Sequence, residues 1–237
     1  MPEFTAREDV RARGGPVFNA PAVVLLSIAA LAGIHALLAV AGEDWEIWAM
    51  YAFAFIPARF AGNSFPSIPG SQVWSFLTYA FLHGGWTHLL FNCLWLLIFG
   101  TPVARFLGPL RFLVLCAVAA IAGAFASLLL HWGAVVIVVG ASGAISGLLG
   151  AAIPIMYGKR VPGMGVHPLS PGELLRNGKA LGFMAIWLAI TLLSGASGWT
   201  GNSFMDEGGI AWEAHIGGFL GGLATFYLLW GAGVRRT

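Results

Sequence analysis

Two apolar stretches hold the side chains best suited to chemistry. Ser142 lies in VVIVVGASGAISGLLGAAIPI, residues 135–155, among glycines at 140, 143, 147 and 150, and His215 lies in a second apolar stretch near the end of the chain. Serine becomes a nucleophile when a base takes its proton, and histidine is the usual base because it titrates near neutrality. The β-branched run from Val135 to Val139 prefers extended backbone, whereas the small residues after Ser142 read as a helix, so the switch is expected between Gly140 and Ser142. Ser142, with Gly143 beside it, would then open a helix, where free N–H groups and the helix dipole favour an oxyanion. Irregular backbone at membrane depth has to be covered by protein or line a cavity, so the remaining helices should enclose this point.

Another stretch supplies His88 and Asn92, four residues apart and so on one helix face, where both could donate hydrogen bonds to an oxyanion. His83 reads as a structural residue at the mouth. Taken singly, a membrane serine packs helices and a buried asparagine bonds a neighbour. The helix-start position of Ser142 and a histidine at matching depth favour chemistry. Glu213 falls on a different side of its helix from His215, so a dyad is expected and not a triad. A second GASG, Gly195 to Gly198, is expected to be loop. The spans carry no deep carboxylate pair and no HExxH, which excludes intramembrane aspartyl and zinc protease chemistry. A metal site from His83, His88 and His215 lacks carboxylate or thiolate support and zinc-like spacing, so neither metal nor cofactor is expected. His35, His131 and His167 receive no role.

Composition determines which elements must position these residues. Of 237 residues, 58% are apolar and 9% charged, against about 25% charged in soluble domains, so the chain reads as an all-α, multi-pass membrane protein. A net charge of +2 gives no reason to invoke nucleic acid. Cys93 and Cys116 sit in apolar segments and form no disulfide framework. The expected organisation is a polar tail over 1–19, a six-helix membrane domain over 20–231 and a short tail over 232–237. Spans are expected at 20–41, from about Gly85 to Gly100, and at 110–132, 134–157, 180–199 and 209–231; a long first loop, 42–73, should rest its aromatic residues at the membrane interface. The first span competes with a signal-peptide reading. Eleven of the twelve Lys and Arg residues fall on one side of this arrangement and only Arg59 on the other, which places both termini in the cytoplasm. At 1.5 Å per residue, His215 would lie about 9 Å inside the outer surface and Ser142 at most about 12 Å.

The motifs FLHGGWTHLLFN, GASGAISG and AHIGGFLGG, in that order, resemble those of rhomboid intramembrane serine proteases, with the resemblance running from about Ala20 to Gly231. It implies a six-helix rhomboid-like bundle that cleaves transmembrane or membrane-adjacent segments of client proteins within the lipid bilayer. It makes Ser142, in the GxSG that starts at Gly140, the nucleophile and His215 the base. It maps HxxxxHxxxN onto His83, His88 and Asn92, with the last two as oxyanion partners, and it makes Gly218 and Gly222 a small-residue stripe that lets spans four and six approach. Two positions differ from the family pattern: Ser146 replaces a frequent aromatic and Ala104 a frequent acidic residue. Arg59-Phe60 is the nearest match to a Trp-Arg pair of the family's first loop. The resemblance also implies a bacterial inner (cytoplasmic) membrane location. A non-catalytic rhomboid-like binder and a small-solute transporter are the competing classes; the latter would show a midplane site and internal repeats.

Overall fold

The computed structural model describes residues 20–62, 67–162, 165–199 and 211–234, with 196–199 and 232–234 described as helix backbone only. Helix α1, Ala22–Ala41, ends at Gly42, whose φ of +97° turns the chain directly into α2, Glu43–Phe53. Glu43, Asp44 and Glu46 fill the first turn of α2, where negative charge suits the helix dipole. The first connection is therefore not a plain loop. It holds α2, a 3-10 turn at Pro57–Phe60 and α3, Ser71–Thr78. Helix α4, Trp86–Leu107, and α5, Pro109–Leu130, meet at Gly108, and Pro109 opens α5 where its missing N–H is harmless. Helix α6, Ser142–Met156, is followed by an antiparallel hairpin of β1, Lys159–Val161, and β2, Gly165–His167. Helices α7, Pro171–Leu174, α8, Gly178–Trp199, and α9, Trp212–Val234, complete the described chain. Because α8 runs to Trp199, the second GASG is the end of a helix, a correction to its reading as loop.

Four described helices are long and apolar enough to cross a membrane: α1, α4, α5 and the Gly178–Gly195 part of α8. The chain is thus an integral membrane protein. Helix α6, which carries Ser142, departs from that standard. Helix α6 has 15 residues, about 22 Å, against the roughly 30 Å of a bilayer core, and it follows an extended segment. Helix α9, 23 residues long, carries Glu213, His215 and several glycines. Other helices cover α6, twelve of whose fifteen residues are buried, whereas α9 packs on α5 and α6 and keeps Leu220 and Leu228 exposed.

Helix α9 lies between α5 and α6. A methyl group at Gly218 would overlap the Gly143 carbonyl, and one at Gly222 would overlap the Gly147 backbone. On the other side, methyl groups at Gly217 and Gly221 would come 2.6 Å from the Ala122 carbonyl oxygen and the Ala122 Cβ respectively. The surrounding apolar core includes Phe112, Leu115, Leu148, Leu149, Ile153 and Phe226. Ala104 is buried in this core. Cys93 and Cys116 are free thiols packed against it.

Candidate active site

The approach to Ser142 is strand-like, as its β-branched residues require. Phe55 and Val138 exchange backbone hydrogen bonds of 3.0 and 2.9 Å, and the Gly140 N–H donates to the Tyr79 carbonyl at 3.0 Å. Extended backbone rises about 3.3 Å per residue, so the helical-rise limit on the depth of Ser142 does not hold. Its level is set by packing. Ser142 is the first residue of α6, and the first intrahelical bond runs from Ile145 N–H to Ala141 O at 2.9 Å. The Ser142 and Gly143 N–H groups therefore have no acceptor within their own helix.

Gly140 adopts a φ of +112°, and a methyl group there would lie 2.7 Å from His88 Nε2 and 3.7 Å from Ser142 Oγ. One point thus lies within 4 Å of both side chains, and glycine leaves it open. Asn92 Nδ2 donates to the His88 carbonyl at 2.8 Å, one turn back along α4, which uses one of its two amide hydrogens. His83 is buried between the rings of His88, at 5.2 Å, and His35, at 6.4 Å. His35 comes from α1 and also meets Trp86 edge-on at 4.6 Å, a contact between helices distant in sequence that no local spacing announces.

His215 occupies the first turn of α9. The residue before it and the residue three after it both reach the neighbour of Ser142: a methyl group at Gly143 would lie 3.6 Å from the Ala214 carbonyl oxygen, and Gly218 rests on the Gly143 carbonyl. Ser142 and His215 are therefore held at one level, and His88 is an electrostatic neighbour of His215. The helix starts at Trp212, so His215 is only about 4.5 Å along it, not 9 Å; Gly209 lies outside the described residues. Tyr79 is a member that sequence reasoning missed. Its hydroxyl donates to the Ala120 carbonyl at 2.8 Å and would lie 2.6 Å from a methyl group at Gly143, so it props the segment beneath Ser142. Glu213 turns the other way, toward α5, where it accepts from Ser127 Oγ at 3.0 Å. Ser146 is buried within α6. Among the described residues no three His, Cys, Asp or Glu side chains converge as a metal site would require.

The sequence profile of the Rhomboid domain matches residues 70–232. The chain belongs to the rhomboid family. It is 37% identical over 83 residues to "Putative rhomboid protease YdcA" of Bacillus subtilis (strain 168), a match covering 35% of this chain and 41% of that protein. It is also 37% identical over 90 residues to "RHOMBOID-like protein 4" of Arabidopsis thaliana, covering 38% of this chain and 22% of that one. Each match spans less than half of the relative's length. The rhomboid region takes in His83, His88, Asn92, Ser142 and His215, whereas α1 with His35 precedes it.

Proposed function

We propose that this rhomboid protein is an intramembrane serine endopeptidase that cuts transmembrane or membrane-adjacent segments of client proteins. What supports this reading is that Gly140 lies against the His88 ring and Ser142 Oγ at the open N-terminus of α6, while the first turn of α9 packs on Gly143, the residue after Ser142. Ser142 Oγ attacks the scissile carbonyl carbon while His215 takes its proton. The Ser142 N–H, His88 and the free amide hydrogen of Asn92 receive the resulting oxyanion. His215 then returns the proton to the departing amine as the C–N bond breaks, and a water molecule hydrolyses the acyl-enzyme by the same route. Gly140 and Gly143 keep the site open, Gly218 and Gly222 bring α9 against α6, and His83 supports His88. The client must present extended backbone, because a helical peptide bond is shielded by its own turn, so small or helix-breaking residues are expected at the cut. No metal or nucleotide enters these steps.

In this reading the 20–231 domain crosses a bacterial inner membrane six times, α6 with its extended lead and α9 supplying the crossings beyond the four self-sufficient helices. Both tails, 1–19 and 232–237, lie in the cytoplasm. The test is labelling of the purified protein with a fluorophosphonate. Ser142→Ala should abolish labelling and Ser197→Ala should retain it. A folded wild-type protein that resists the probe would instead be a non-catalytic rhomboid.

A further inference from the structure

The buried carboxyl of Glu213 lies two residues from His215 and belongs to no step above. It is 3% exposed, it accepts from Ser127 Oγ at 3.0 Å, and His131 Nε2 lies 3.4 Å from the same Oε1. Ser127 and His131 stand one turn apart at the end of α5, where the His131 N–H closes the helix on the Ser127 carbonyl at 2.9 Å. One oxygen at the head of α9 is thereby tied to two side chains at the tail of α5.

We propose that Glu213 is a positioning residue that fixes the rotation of the first turn of α9 and so holds His215 against Ser142; the inference rests on the protease reading. Below His215, α9 is gripped on both sides through Gly217 and Gly221 against α5 and through Gly218 and Gly222 against α6. Above it, the first turn is closed by the Ala214 and His215 N–H groups, which donate to the Ala211 carbonyl at 3.0 and 3.3 Å. Glu213 adds a side-chain tie from that turn to the neighbouring helix. Two residues along a helix is a turn of about 200°, so the side chain that faces α5 and the one that faces the site are opposite ends of one lever. Side-chain tips lie about 5–6 Å from the helix axis, so about 10° of rotation moves the imidazole by about 1 Å. Misplacement of that size costs about a hundredfold in rate.

The test uses the full-length protein in detergent, a fluorogenic peptide carrying one transmembrane segment with small residues at its centre, and a fluorophosphonate to count active molecules. Per labelled molecule, Glu213→Ala should lower kcat tenfold to a hundredfold with KM within twofold. Glu213→Gln keeps an acceptor for Ser127 and should stay within threefold of wild type. Ser127→Ala should lower kcat threefold to tenfold, and the Ser127→Ala, Glu213→Ala double variant should be no slower than Glu213→Ala alone. A merely structural role would reduce the labelled fraction and the melting temperature but leave kcat per labelled molecule unchanged, and that result overturns the proposal. So does Gln as slow as Ala, or single effects that multiply in the double variant. Should Glu213→Ala fail to fold, Ser127→Ala decides alone, since it leaves Glu213 in place: unchanged kcat overturns the tether and slowed kcat supports it. Wild-type protein that neither labels nor cleaves removes the protease reading and this inference with it, a result unlike any of the variant outcomes.

Discussion

Asn92 donates one amide hydrogen to the His88 carbonyl, so its side chain is steadied by its own helix before any substrate arrives, and the second hydrogen remains for a ligand. On the proposed mechanism that hydrogen matters most once charge develops on the scissile oxygen. Asn92→Ala should therefore lower kcat by about a hundredfold to a thousandfold, the effect of about 2.7–4 kcal/mol typical of one oxyanion donor, with little change in KM. Turnover and melting temperature measured on the same preparation check this, and normal turnover in a destabilised variant would remove Asn92 from the site. Gly140→Ala faces two obstacles, a φ of +112° and the His88 ring 2.7 Å from the new methyl group, and should lose fluorophosphonate labelling of Ser142. At this scale the sequence was informative wherever spacing alone decides. The shared face of His88 and Asn92 and the helix start at Ser142 follow from local pattern. The Asn92 bond back to its own helix, the Tyr79 prop and the His35 ring depend on which atoms meet across helices, and periodicity carries no such information.

Between elements, the backbone contact of α6 with α9 admits little change. A methyl group at Gly222 would overlap Gly147, so Gly222→Ala should cost about 1–3 kcal/mol or more from overpacking, lower the melting temperature and reduce labelling as α9 is pushed away. Gly33, with open space around it, is the control. Gly33→Ala in α1 should be neutral or stabilise by up to about 1 kcal/mol. The short helix α7 offers a test of linkage. The Ser170 N–H and hydroxyl, with Lys159 at 3.1 Å, hold the Glu173 carboxyl down at about 2 from its ordinary 4.5. A lowered carboxylate pKa means folding favours the charged form, so this contribution is complete above pH 4.5 and is lost as pH falls toward 2. Glu173→Gln should flatten the decline of melting temperature across that window. Six apolar segments were legible in the sequence, although α2 was not. Its tryptophans suggested an interfacial loop, and the three acids opening it after Gly42 were the helix signal passed over.

Over the whole molecule, the orientation predicted by basic residues has one exception, Arg59, and the fold accounts for it. Its guanidinium is buried and donates to the Ala54 carbonyl at 2.7 Å and to the Tyr51 carbonyl, so it has a structural task in fastening the segment between α2 and α3. In a protein whose Cys93 and Cys116 are replaced, a cysteine at Ser67 should react with a membrane-impermeant reagent from outside the cell and one at Ser170 should not. The reverse result would invert the proposed topology. The packing of α9 between α5 and α6 also bears on synthesis. This helix is the last described element of the chain, is rich in glycine, and lies with its backbone against α5 and α6. Its glycines fit a groove that α5 and α6 make. A ribosome therefore delivers the proposed nucleophile well before the proposed base, and a chain caught part-way through insertion is an inert one: the membrane meets no protease until the bundle that confines it is built.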